Sequence, residues 1–127
     1  MNAAQLLTPD LREKLRANDE VPGADHVPVV KFFNPAGAGT WLATELDVDG
    51  DTLFGLADLG FGCPEIGSFS LAELESIRLP FGLSMERDIA FSTEHALSAW
   101  AEAARASGSL GAAERILAAA TRPKRGP

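Results

Sequence analysis

Apolar residues recur along this chain first at helical spacing, then at a period of two, then at helical spacing again, and each change of period predicts a change of element. Leu7, Leu11 and Leu15 lie four apart on one stripe. Thr8 offers a capping hydroxyl, Pro9 suits the first helical position and Asp10 suits the positive end of the helix dipole, so a helix is predicted from Thr8 to about Ala17. The segment Asn18 to His26, interrupted by Pro22-Gly23, has no periodicity and reads as a loop.

From Val27 the pattern becomes one of strands. Val27–Phe33, Thr40–Val48, Asp51–Leu59, Glu65–Phe69 and Met85–Phe91 are the predicted strands, with Pro28 confining the first to an edge or a strand start. Asp49-Gly50 suits a two-residue hairpin turn, which sets Trp41 opposite Asp58, Ala43 opposite Leu56 and Glu45 opposite Phe54. Trp41, Ala43, Phe54 and Leu56 then share one face, and Leu42, Leu46, Leu53, Ala57, Thr44 and Gly55 the other, so both faces are at least partly covered. Ser70-Leu71-Ala72-Glu73 has the form of a capping box and starts a short helix to about Ile77. Pro80-Phe81-Gly82 is a turn.

The last third is rich in alanine. Ser92 or Thr93 caps a helix with Leu97, Trp100, Ala101 and Ala104 on one face; Ser109 caps a second with Leu110, Ala113, Ile116, Leu117 and Ala120 inward. The break at Ser107-Gly108 makes them a helical hairpin, and Arg122 to Pro127 reads as a frayed basic tail. The fold class expected is therefore α+β: an antiparallel sheet of four to five strands, an N-terminal helix, a short inserted helix and a C-terminal helical hairpin. Residues 1–121 are expected to form one domain that ends in the helical pair at 92–121, followed by the tail at 122–127.

Composition narrows the class without naming an activity. With 46% hydrophobic and 23% charged residues over 127 positions, the chain is an ordinary globular domain. It has no apolar run of about 18 residues, Met1 to Leu7 lacks the features of an export signal, and the single Cys63 forms no internal disulfide. A cytoplasmic location without membrane attachment is expected.

Charge changes the picture more. The formal charge is −7, and Phe32 to Ile77 carries Glu45, Asp47, Asp49, Asp51, Asp58, Glu65, Glu73 and Glu75 with no Lys or Arg. An acidic surface without internal cationic compensation points to a protein partner with a basic surface. Trp41 as an anchor and Glu45, Asp47, Asp49, Asp51 and Asp58 as charges are the candidate contact residues. Direct nucleic-acid binding through Trp41, Phe32, Phe33, Phe54, Phe61 and Phe69 would need a basic track, so these aromatics are expected in the core.

Catalytic and cofactor chemistry finds little support. Glu45, Asp58, Glu65, Glu86 and Asp88 would make a metal or acid/base site only if they converged, and alternation equally puts charges on a solvated face. Arg87, if buried, needs a carboxylate from elsewhere. Cys63 stands in an acidic stretch with no neighbouring base, and His26 and His95 have no partner at metal-ligand spacing. Gly60-x-Gly62 and Gly37-x-Gly39 lack the rest of a dinucleotide fingerprint. No catalytic residue, metal or cofactor is assigned.

Lys31-Phe32-Phe33-Asn34-Pro35, Thr40-Trp41-Leu42-Ala43-Thr44-Glu45, Phe54-Gly55-Leu56, Glu65-Ile66-Gly67, Ser70 to Glu75, Pro80-Phe81-Gly82-Leu83 and Glu86-Arg87-Asp88, with the opening Leu7-Thr8-Pro9-Asp10-Leu11, resemble in order the pattern of bacterial domain-of-unknown-function family 2958. The resemblance spans about Leu7 to Phe91. It implies a small protein often carried on plasmids and other mobile elements, sometimes near conjugation or antirestriction genes, and it implies no established activity. The loop Gly60 to Cys63 and the C-terminal helices depart from that pattern. A non-enzymatic binding or regulatory protein, of antirestriction or counter-defence type, is the reading that results. The alternatives are a carboxylate-dependent hydrolytic enzyme and a homodimer or larger homo-oligomer packed through the alanine-rich helices.

Overall fold

The computed structural model describes residues 5–121 and is of the α+β class. The basic tail from Arg122 to Pro127 lies outside the described residues. Helix α1 (Pro9–Asp19) begins where the Thr8 hydroxyl accepts the Leu11 amide at 3.2 Å, and it continues past Ala17 to Asp19. Strands β1 (Val30–Phe33), β2 (Thr40–Leu46), β3 (Thr52–Asp58), β4 (Glu65–Ser70) and β5 (Glu86–Arg87) form one antiparallel sheet in the order β4-β3-β2-β1-β5. Helix α2 (Leu71–Ser76) follows β4 without a break, and α3 (Leu97–Ser107) and α4 (Leu110–Thr121) are the C-terminal hairpin, turned at Gly108.

The sheet is the middle of three layers. On one side Leu15 of α1 and Leu71 and Leu74 of α2 pack with Val30, Phe32, Ala43, Leu46 and Leu53. On the other, Leu97, Trp100, Ala104, Leu110, Ala113 and Leu117 of the helical pair cover Leu42 and Leu56. The alanine faces of α3 and α4 are thus used against the protein's own sheet: small side chains let the helices approach it closely.

Three local features depart from the sequence reading, each for a physical reason. The first strand begins at Val30, because Pro28 has no amide to donate. The last shrinks to Glu86–Arg87, because the Asp88 carboxylate turns back to accept the Ala90 amide at 3.0 Å. Between β2 and β3 the turn is wider than two residues: Asp47 pairs with Thr52 by its amide at 2.8 Å, and Gly50, at φ 73°, donates to the Asp47 carbonyl. Asp49 favours that wider loop by accepting the amides of Asp51 and Thr52, each at 2.8 Å.

A bulge at Thr44 has the largest effect. The expected register holds for Glu45 opposite Phe54 but is displaced by one beyond it, where Trp41 faces Ala57, Leu42 faces Leu56 and Ala43 faces Gly55. Leu46 and Leu53 consequently join Trp41 and Ala43 on the α1 side, whereas Leu42 and Leu56 turn to α3 and α4. The bulged Thr44 stays satisfied, its carbonyl accepting from Asn18 at 2.9 Å and its hydroxyl donating to the Phe54 carbonyl at 3.2 Å. Beside the bulge the two strands approach so closely that a Cβ on Gly55 would lie 1.8 Å from the Leu42 carbonyl oxygen. Gly55→Ala should therefore cost about 3 kcal/mol or more, since backbone on both sides must move. Urea unfolding of the variant should show a markedly lowered midpoint, and an unchanged midpoint would contradict the close approach.

Candidate functional site

The helical pair covers the sheet only in part. Toward the β2–β3 turn, Glu45 of β2, Phe54 of β3 and Ile66 and Ser68 of β4 lie on the face that α3 and α4 leave bare. The loop between α1 and β1 rises along one side, and the first turn of α3 closes another. The result is an open groove of about 580 Å³. Its floor is apolar, with Phe54 36% and Ile66 38% exposed, and its rim carries Asp19, Asp25, Glu45 and Asp47. Among the described residues His26 is the sole basic side chain on that lining.

The walls are held by hydrogen bonds between distant parts of the chain. Helix α3 starts at Ala96, which has no capping side chain, so neither Ser92 nor Thr93 is its cap. Its first amides are satisfied from the α1–β1 loop instead: Leu97 donates to the His26 carbonyl at 2.9 Å, and Ser98 donates to the Asp25 carboxylate through its amide at 3.1 Å and through its hydroxyl. Those Ser98 bonds, hydroxyl first and amide second, hold the Asp25 carboxyl below its ordinary value of 3.8. Thr93 has another task, accepting the Trp100 indole N–H at 3.2 Å and the His95 amide at 3.1 Å.

The predicted contact residues divide into separate groups. Glu45 and Asp47 line the groove. Trp41 is half-buried on the opposite face, packed against the α1-side core. Asp49 holds the turn: the Thr52 hydroxyl, then the Thr52 amide, then the Asp51 amide lower its pKa. Asp51 reaches α2, accepting the Ala72 amide at 2.7 Å and the Ser70 hydroxyl at 2.8 Å, while the Ser70 hydroxyl accepts the Glu73 amide as expected of a cap. Asp58 is buried, its two oxygens accepting the Gly60 and Leu110 amides at 2.8 Å each, so it starts α4. It faces no solvent that a partner could reach.

The five acids considered for catalysis do not converge. Glu45 and Asp58 lie at opposite ends of the β2–β3 hairpin, roughly 13 Å apart along the strands at about 3.3 Å per residue. Glu65 pairs with Ala57 and so lies on the other face. Asp88 is engaged by Lys31 at 3.7 Å, and Lys31 also binds Glu114 of α4 at 3.0 Å. Arg87 takes a backbone partner, the Leu6 carbonyl at 2.8 Å, in place of the expected carboxylate. Among the described residues no group of three or more His, Cys, Asp or Glu is arranged to hold a metal.

Other expectations need adjustment. Phe54 and Phe61 are exposed, the latter at 82%, whereas Phe32 is core. Cys63 is exposed, and Arg105 of α3 shares its shallow hollow, a cation that sequence order did not place there. Nor is the acidic turn wholly without cations: Arg12 donates to the Gly50 carbonyl at 3.0 Å, and Arg16 to the Leu46 carbonyl at 2.7 Å and to Asp19 at 3.0 Å. These guanidinium groups bind backbone oxygens. Among the described residues the ion pairs join Arg16 to Asp19 and Lys31 to Asp88 and Glu114, and none uses an acid of the Phe32–Ile77 stretch.

Sequence reasoning missed Asp19, Asp25 and the floor residues Phe54 and Ile66. The signal that could have found the wall was the length of the connection between α1 and β1, since long connections in compact domains are often functional. No described helix is long and apolar enough to cross a membrane.

Comparison with known proteins adds one finding. The family described as "Protein of unknown function (DUF2958)" matches residues 6–111, a stretch that runs beyond Phe91 through all of α3 and into the first turn of α4. No curated protein matches the chain, and no solved structure does.

The lowered pKa values of Asp25 and Asp49 carry a sign for stability. A carboxyl whose folded pKa is depressed stabilises the fold above its unfolded pKa, and that contribution is lost as pH falls through the folded value. Stability should therefore decline as pH drops below about 4, and the Asp25→Asn, Asp49→Asn double variant should decline less steeply there. Urea midpoints measured between about pH 5 and pH 2 read the difference, and parallel curves would refute the assignment.

Proposed function

The chain belongs to the DUF2958 family, whose members are described as proteins of unknown function, and we propose that it is a non-catalytic binding protein whose groove receives a basic segment of another protein. The observation that carries this reading is the combination of an apolar floor, Phe54 and Ile66, with a rim of Asp19, Asp25, Glu45 and Asp47. Apolar area supplies affinity, and carboxylates at the rim select the sign of the partner's charge and raise its rate of encounter. The groove volume, about 580 Å³, suits a few side chains. The family resemblance supports an accessory role in plasmid or mobile-element biology, of antirestriction or counter-defence type, exerted in the cytoplasm.

The two alternatives draw less from the geometry. A hydrolytic centre would need its carboxylates together, and Asp58, Glu65 and Asp88 are each placed elsewhere. A homodimer through α3 and α4 would need their small faces, and Ala101, Ala104 and Ala113 are buried in this chain's own core.

Binding of a fluorescein-labelled oligolysine tests the reading. Wild-type protein should bind it at low salt and release it as salt rises. The Glu45→Gln, Asp47→Asn variant should bind roughly 2- to 10-fold more weakly, as expected for two exposed charge contacts. A control of equal charge, Glu13→Gln with Glu102→Gln, alters exposed acids that do not line the groove and should retain most of the affinity. Equal loss in both variants would mean that net charge alone is being measured and would remove the groove from the proposal.

A further inference from the structure

The two edges of the sheet are treated differently. At one end β5 consists of Glu86 and Arg87 alone, a strand too short and too charged to receive another. At the other, β4 pairs with β3 in unbroken register from Thr52 opposite Ser70 to Ala57 opposite Glu65, and among the described residues no strand lies on its far side. Few of the usual devices that blunt an edge are present within it: Glu65-Ile66-Gly67-Ser68-Phe69-Ser70 contains no Pro, no Lys and no bulge, and its single charge, Glu65, stands at one end. Glu65, Ile66 and Ser68 are exposed, and a Cβ on Gly67 would meet nothing within 4 Å.

We propose that β4 is a receiving edge, on which an extended segment of a basic partner protein is added as a further strand of the sheet. This rests on the binding reading above and specifies its mode. Strand addition takes affinity from main-chain hydrogen bonds and specificity from alternate side chains. A segment lying about 4.8 Å outside β4 would turn every second side chain toward Ile66 and Ser68, at the open margin of the groove.

Charge chooses the occupant. The stretch containing β3, β4 and α2 holds eight acids and no Lys or Arg. Exposed Glu73 stands in the first turn of α2, just past the Ser70 end of the edge. Arg105 shares a hollow with Glu65 at the opposite end, so basic side chains of the added strand belong toward Ser68–Ser70. A second copy of this chain would bring two acidic surfaces together, which disfavours edge-to-edge self-pairing.

The experiment uses the full chain and two labelled peptides of equal charge, Lys-Val-Lys-Val-Lys-Val and its fully N-methylated form, which has no backbone donor. Binding is measured at low and high salt, together with amide hydrogen exchange of residues 65–70. The expected result is salt-sensitive binding of the unmodified peptide, slowed exchange in 65–70, and affinity for the methylated peptide lower by about tenfold or more, the loss expected for two or so hydrogen bonds. Equal affinity for both peptides, or unchanged exchange in 65–70, would overturn strand addition while leaving the acidic groove as a binding site. Failure of both peptides to bind at low salt would remove both readings. Sedimentation showing a dimer whose formation protects 65–70 would assign the edge to a second copy and overturn the basic partner.

Discussion

Carboxylates accepting backbone amides from distant segments hold the layers of this protein in place. A helix start leaves four N–H groups without partners inside the helix, and burying them unpaired is costly. Thr8, Ser70 and Ser109 each accept one such amide for α1, α2 and α4 from the adjoining sequence. The starts of α2, α3 and α4 take a further partner from Asp51, Asp25 and Asp58 respectively, in the β2–β3 turn, the α1–β1 loop and the end of β3. Each bond fixes a helix and also fixes the helix to another layer. For the buried Asp58, hydrogen bonds to a charged acceptor are worth about 1.5–3 kcal/mol each, a substantial share of a domain stability of about 5–15 kcal/mol.

The bulge at Thr44 performs the complementary task of distributing side chains. By displacing the register of β2 it sends Leu42 to one core and Leu46 to the other, so that a single hairpin serves both. It also leaves Glu45 and Phe54 paired on the helical-pair side but beyond the reach of α3 and α4. The groove is what remains of a sheet face longer than the helices that cover it. Asn18, bonded to the bulged Thr44 carbonyl, stands in the last turn of α1 just before the loop that becomes the groove's wall, so bulge, loop and groove form one unit.

What could be read from the sequence was what local chemistry determines. Thr8-Pro9-Asp10 started α1, Ser70 capped α2, Gly108 ended α3, and periodicity located all five strands. What could not be read depended on contacts between remote positions. No local signal distinguishes Thr44 as a bulge, because the residues that satisfy it, Asn18 and Phe54, lie elsewhere in the chain. The starting point of α3 was misplaced for a related reason: its cap is Asp25, some seventy residues earlier, so Ser92 and Thr93 looked like the only candidates. The candidate site was half legible. Glu45 and Asp47 were marked by charge, but the apolar floor was invisible because Phe54 and Ile66 alternate like any core strand residues.

The acidity of the Phe32–Ile77 stretch therefore has two causes that must be separated before it is used as evidence about partners. Asp49, Asp51, Asp58 and Glu75 accept hydrogen bonds that shape turns, helix starts and the contact with Leu6, and these acids would be needed in a protein with no partner at all. Among the described residues Glu45, Asp47, Glu65 and Glu73 form no ion pair and cap no distant helix. Their negative charge is left to the surface, and Arg12 and Arg16 do not neutralise it directly because each points its guanidinium at a backbone carbonyl near the turn. A surface that keeps cations close yet, among the described residues, leaves Glu45 and Asp47 of its rim without an ion pair presents charge at a defined place, next to exposed Phe54 and Ile66, and that coincidence carries more weight than the net charge of −7.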